Sequence, residues 1–247
     1  QRIGDVDAPV SAPVHASVSG EVISIEESRT AMGSTDTFVV IASDGRQEPW
    51  EGLQIPHCET KDDFIKAVRD SGLVGLGGAS FPTHVKFNPA NLDECDTLIV
   101  NGAECEPFIT SDHRNMLEHT DDIISGIRLT MKYLGLSKCY VGIENNKPDA
   151  IEKIRNGLKE IKGAEVVELR STYPQGAERV LIHETAGKTL KAGQLPASAG
   201  CILSNHDHVR RSVFPHGNAS DSANGNSGGR CGGKSVQCRG SRRYEIL

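Results

Sequence analysis

The chain has 247 residues and a formal net charge of −6, with 37% hydrophobic and only 4% aromatic residues. This length gives room for one large domain, or a small domain beside a medium one, and for a core that needs no staples. The acidic balance argues against nucleic acid as the main partner, since phosphate binding needs a basic face, and no apolar run approaches the ~20 residues that span a bilayer.

The opening QRIGDVDAPVSAPV lacks the charged-then-apolar order of a secretory signal, so a membrane link is expected only through partners. An odd count of seven cysteines at scattered spacing does not read as a disulfide framework; reduced thiols in a cytoplasmic compartment are the simpler expectation.

Residues 1–50 read as all-β. Short alternating runs at Val14–Val18, Glu21–Ile25 and Thr37–Ile41 are punctuated by Pro9, Pro13 and Gly20. The stretch VHASVSGEVISI resembles the barrel-sandwich hybrid of lipoyl and biotinyl domains. Those carriers present a modifiable lysine on a hairpin tip, but Glu26–Asp36 contains none, so a scaffold is expected here and not a swinging arm.

From Lys61 the pattern becomes α/β. Phe64, Ile65 and Val68 share one face of a helix over 62–71, and Thr97–Val100 is a buried-type strand ending at Asn101. The spacing of Ile123, Ile124, Ile127 and Met131 predicts a helix over 121–134. A strand follows at Cys139–Ile143, a helix opens at Pro148, and a third strand runs over Glu165–Leu169. Strands alternating with such helices imply βαβ units and a parallel sheet, here over 51–206. Beyond that, GNASDSANGNSGGRCGGKSVQCRG is too rich in Gly, Ser and Asn to offset its ordering entropy, so residues 207–247 read as a disordered or aberrant tail.

Three motifs carry chemistry. GLVGLGGASFPTHVK (Gly72–Lys86) gathers glycines whose exposed N–H groups suit a phosphate, and Lys86 adds a point charge. Its spacing is neither Walker A nor G-x-G-x-x-G, and a flexible surface loop is the alternative. NGAECEP (Asn101–Pro107) directly follows a strand, where ligands of open α/β sheets bind. Glu104 and Glu106 there either accept from ribose or ribityl hydroxyls or are simply solvated. YPQGAE (Tyr173–Glu178) follows the third strand and otherwise reads as an ordinary connection.

In this order and spacing, GLGGASFPTHVK, NGAECEP and YPQGAER are similar to motifs of the RnfC family, over about Pro13 to Asn205. RnfC is the NADH- and flavin-side subunit of the Rnf ion-translocating electron-transport complex. Its central domain is related to the flavin-bearing subunit of respiratory complex I. The resemblance implies a barrel-sandwich hybrid segment followed by a Rossmann-like α/β domain, with FMN and NAD(H) as cofactors. It implies that Gly75, Gly77 and Gly78 lie against the flavin and nucleotide phosphates, that Lys86 pairs with the FMN phosphate and that Phe81 stacks on the NADH adenine. Asn101 and Glu104 match flavin-binding positions, and Glu106 matches an acid facing the nicotinamide nucleotide. Tyr173 and Gly176 belong to a third wall, with Glu178 nearest the hydride transfer.

The chain departs from the pattern at Ala103 and Ala177, and at Ser204–Asn205, where two adjacent asparagines that help hold FMN are expected. Where the family continues into a helix after Asn205, none is expected here. The family also carries two [4Fe–4S] clusters, which need C-x₂-C-x₂-C-x₃-C runs. Cys231 and Cys238 are too far apart for that, so no cluster is expected in this chain, and Cys105 reads as a packed thiol. His84, His113 and His119 lack ligand spacing and read as surface or capping residues. The expected partners are Rnf-type membrane and ferredoxin-like subunits, at the cytoplasmic side of the membrane. The alternatives are a truncated, non-catalytic assembly module, or a quinone-linked A-type subunit of the Na⁺-translocating NADH dehydrogenase.

Overall fold

The computed structural model describes residues 1–29, 33–54, 56–75, 80–106 and 108–211. The N-terminal part forms two antiparallel ribbons. In one, β1 (Arg2–Gly4) pairs with β2 (Val14–His15); in the other, β3 (Gly20–Arg29) pairs with β4 (Thr35–Ser43). The second ribbon outruns the alternating residues on both strands. Ladder bonds join backbones, so pairing continues through Glu26–Arg29, where the side chains are charged or polar. Val40 and Ile41 are buried, whereas β3 is exposed almost throughout. Asp5 ties the lead segment to the next domain by accepting from Arg69 Nη2 at 3.1 Å.

The α/β part begins with α1 (Lys61–Asp70), whose capping box joins Thr60 to Asp63, and α2 (Thr83–Phe87). There follow β5 (Thr97–Asn101), α3 (Ser111–Glu118), α4 (Thr120–Leu134), β6 (Lys138–Glu144), α5 (Pro148–Leu158) and β7 (Ala164–Leu169). The chain continues through α6 (Glu178–Ala186), β8 (Cys201–Asn205) and α7 (His206–Arg211). Four strands make one parallel sheet in the order β7-β6-β5-β8. The expected parallel α/β fold is therefore present.

An unbroken apolar run marks a strand covered on both faces, and β5 behaves so. Leu98 and Val100 enter the larger core, with Ile123 and Ile127 of α4 and Ile151 and Ile154 of α5. Ile99 enters the smaller core, with Leu181 and Ile182 of α6. Each such side chain contributes roughly 2 kcal/mol on burial.

One expectation is corrected at the end of the sheet. No helix was expected after Asn205, yet α7 is present and packs on α4, with His206, Asp207, Val209 and Arg210 buried. Two local features allow it. Arg210 donates to Asp207 Oδ1 from Nε at 3.2 Å and Nη2 at 3.1 Å, pairing charges that burial would otherwise penalise. On α4, Gly126 leaves room for the α7 backbone: a Cβ there would lie 1.9 Å from the Val209 carbonyl oxygen. The expectation of disorder over 212–247 lies outside the described residues.

Candidate functional site

The strand order puts β8 on the opposite side of β5 from β6 and β7, so connectivity reverses between β5 and β8. Ligands of open α/β sheets sit beyond the carboxyl ends of the strands at such a point. Asn101 and Asn205 are register partners there. Asn101 Oδ1 accepts the Ala103 N–H at 3.0 Å, and its Nδ2 donates to the Gly176 carbonyl at 3.1 Å. One side chain thus joins the 101–106 loop to the 173–178 loop. A Cβ on Gly176 would meet Asn101 Nδ2 at 3.5 Å, an ordinary contact, so its glycine is not demanded by protein packing. Asn205 Oδ1 accepts the Asp207 N–H at 2.7 Å and so helps start α7.

Beside this point lies a cleft of about 440 Å³ between the loops after β5, β6 and β7. Its lining includes Glu104, Glu106, Phe108, Glu144, Lys147 and Tyr173. Glu104 is buried. Its Oε1 accepts the Asp112 N–H at 2.8 Å, and its own N–H donates to Glu144 Oε2 at 3.1 Å. Glu144 in turn forms a buried ion pair with Lys147, across the turn from β6 into α5. Glu104 Oε2 is buried without a hydrogen-bond partner among the described residues.

Burial pushes the Glu104 carboxyl above its ordinary range. Burial does the same to Asp112, opposed by the His206 imidazole, whose Nε2 lies 3.8 Å from Asp112 Oδ1. On its other side His206 Nδ1 is 3.3 Å from the Asn101 carbonyl oxygen.

The structure brings together Asn101, Glu104, Glu106, Tyr173, Gly176 and Asn205 at the carboxyl edge of the sheet. Glu178 is exposed and opens α6, two residues beyond Gly176. The Gly-rich segment is pinched at its base. The Gly75 N–H donates to the Phe81 carbonyl at 2.9 Å, the Thr83 N–H to the Leu73 carbonyl at 3.0 Å, and Val74 bridges Pro82. Gly77 and Gly78 lie outside the described residues. Phe81 is exposed; Lys86, on α2, is half-buried and has no ion-pair partner among the described residues. α2 packs on β8, but neither Phe81 nor Lys86 lines the cleft.

Sequence reasoning missed Glu144, Lys147, Phe108, Asp112 and His206. The run IENNKP placed charges between a buried strand and its helix, and that was the available signal for the first two. The others depend on long-range packing. Of the histidines taken as surface or capping residues, His113 pairs with Asp149 at 2.8 Å, and His119 directly precedes α4. His84 is instead buried in α2, and burial lowers its pKa. The reason is that so short a helix, held between the 73–83 bridge and β8, turns most of its surface inward. Among the described residues no His, Cys, Asp and Glu cluster could hold a metal, and no helix is long and apolar enough to cross a membrane.

A parallel sheet with a reversal point, loops joined by Asn101 and an acid-floored cleft define a ligand-binding α/β domain of the nucleotide-binding kind. The Nuo51 FMN-binding domain model matches residues 68–210, and the RnfC barrel sandwich hybrid domain model matches residues 1–46. The chain belongs to the RnfC family.

One relative is the C subunit of the Na⁺-translocating ferredoxin:NAD⁺ oxidoreductase complex of Acetobacterium woodii, 42% identical over 211 residues, which are 83% of this chain and 47% of that protein. Another is the C subunit of the proton-translocating ferredoxin:NAD⁺ oxidoreductase complex of Clostridium ljungdahlii, 40% identical over 208 residues, 83% of this chain and 45% of that protein. The chain therefore spans about half the length of these two relatives. The fold is also that of a crystal structure of an NAD⁺-reducing [NiFe]-hydrogenase in its H2-reduced state. That match has a TM-score of 0.52 and 22% identity, over 66% of this chain and 32% of the other.

The residues fit a flavin nucleotide in two respects. Lys86 is a cation without an acidic partner among the described residues, suited to a phosphate, and Glu104 Oε2 is a buried acceptor that lacks a donor.

Proposed function

We propose that this chain holds FMN non-covalently and aligns it with NAD(H) for hydride exchange, within an ion-translocating ferredoxin:NAD oxidoreductase complex. When bound, FMN supplies the electron chemistry, and the protein supplies binding, orientation and electrostatics. The observation that carries the reading is the Asn101 side chain. It clamps NGAECEP to YPQGAE beside an acid-floored cleft at the reversal point of the sheet.

In this reading the backbone of Gly75, Gly77 and Gly78 and the charge of Lys86 take the phosphates. Phe81 meets the adenine, and Asn101, Glu104, Tyr173, Gly176 and Asn205 surround the flavin. Glu106 faces the nicotinamide nucleotide, and Glu178 lies nearest the transfer. No protein nucleophile or general base is assigned. In this reading no iron–sulfur cluster is assigned to the described residues, and the chain sits peripherally at the cytoplasmic side of the membrane and works with membrane and ferredoxin-like subunits.

A second reading, a non-catalytic assembly module, draws support from β8. Ser204 stands where asparagine is expected and is fully buried, and Asn205 Oδ1 is engaged by the Asp207 N–H. Titrating the purified chain with FMN, followed by anaerobic NADH, separates the two. The hydride reading expects saturable quenching of flavin fluorescence and then bleaching of the flavin band. Lys86→Ala is expected to weaken FMN binding by about ten- to a hundred-fold, the range of one charge-assisted hydrogen bond. No binding at tens of micromolar FMN would hand the chain to the assembly reading.

A further inference from the structure

Three exposed apolar or aromatic side chains, Phe108, Ile109 and Tyr173, stand among the otherwise polar lining of the cleft. Phe108 is completely exposed, at 103% of its reference surface, and its backbone is left-handed, with φ +67. Such a conformation is a genuine outlier for a bulky side chain and persists where the surroundings impose it. Tyr173 is also exposed, at 80%, and Ile109 at 48%. All three line the same cleft, above Glu104, Glu144 and Lys147. Exposed aromatic groups gathered around a polar floor have the composition of a ring-binding site: apolar faces to stack on, and a few polar atoms to read an edge.

The floor gives an independent pointer. Glu104 is 7% exposed; one of its carboxylate oxygens is satisfied by the Asp112 N–H, and the other, Oε2, lacks a partner among the described residues. A buried acceptor left unpaired is costly, and a donor brought by a ligand removes that cost. Glu104 itself is among the residues that line the cleft.

We propose that Phe108 and Tyr173 are the aromatic walls of a slot that receives a flat heterocycle edge-first, with an N–H on that edge donating to the Glu104 carboxylate. The inference rests on the flavin and nicotinamide reading above and adds Phe108 to it as a stacking residue. A flavin pyrimidine edge and a nicotinamide carboxamide both offer an N–H beside a flat ring, so the shared chemistry is an amide-edged planar heterocycle.

The test compares the full chain with Phe108→Ala and Phe108→Tyr in separate fluorescence titrations with FMN and with NADH, and measures Tm for each. Loss of one stacking wall is expected to weaken the occupying ring about ten-fold in Phe108→Ala. Phe108→Tyr should bind as the wild type does, and Tm should not fall, because Phe108 is fully exposed and belongs to no core. Weakening confined to FMN identifies the flavin as the occupant, and weakening confined to NADH identifies the nicotinamide nucleotide. Unchanged affinity for both rings in Phe108→Ala overturns the slot and leaves the proposed function standing. So does a loss of affinity matched by a fall in Tm. A wild-type chain that binds neither ring overturns both.

Discussion

Glu104 meets opposing demands within one side chain. Its backbone and one carboxylate oxygen are built into the loop by Glu144 and Asp112, while burial disfavours its charge. A carboxyl whose folded pKa is raised binds its proton more tightly in the native state. It therefore lowers stability as pH rises from the unfolded value, 4.5, through the raised native one. Glu104→Gln keeps the shape and the acceptor for the Asp112 N–H but cannot ionise. Relative to wild type, its Tm should be similar near pH 4 and higher near pH 7. A difference that does not grow across that interval would mean that the Lys147–Glu144 pair already compensates the charge. Glu104 thus carries a local cost beside the cleft, the kind of perturbed group that binding sites tend to hold.

Among the elements, α7 depends on a single missing methyl group. With 1.9 Å between a Cβ at position 126 and the Val209 carbonyl oxygen, Gly126→Ala must push α7 off α4 or shift both. We expect a loss of about 1–3 kcal/mol, the usual range for overpacking, read as a lowered Tm with faster amide exchange over 206–211. Unchanged exchange there would show that α7 adapts without leaving α4.

Not every element was legible in advance. The helix over 120–134 and the strands over 97–101, 138–144 and 164–169 announce themselves by apolar spacing, and their observed bounds fall close to expectation. α3 has one buried side chain, Met116, so it gives little periodic signal. α6 gives a weak signal as well, because exposed residues interrupt the run ERVLIHETA. For α7, six residues with one aliphatic side chain look like a loop until α4 supplies the other half of the contact. The same division holds at the site. Motif loops could be recognised, whereas the Glu144–Lys147 pair and the His206–Asp112 approach come from how the loops and helices pack once folded.

Across the whole molecule, the two halves are held by different means. The α/β part has apolar cores on both faces of its sheet, while the β3–β4 ribbon has only two strands, and β3 is exposed. Two-stranded ribbons are marginal by themselves. Hydrogen exchange should therefore release the amides of 20–29 and 35–43 well before those of β5 and β6, by several orders of magnitude in protection. Equal protection would mean that the ribbon unfolds only with the sheet.

The placement of β8 also fixes when the site can exist during synthesis. Strands β5, β6 and β7 leave the ribosome in the order in which they pair, but the other flank of β5 stays bare until residues 201–205 arrive, about a hundred residues after Asn101. During that interval a strand buried on both faces is a sheet edge, open to wrong partners. The nascent chain is therefore open to mispairing at the strand that carries Asn101, and the arrival of β8 closes that edge and completes the crevice in one step.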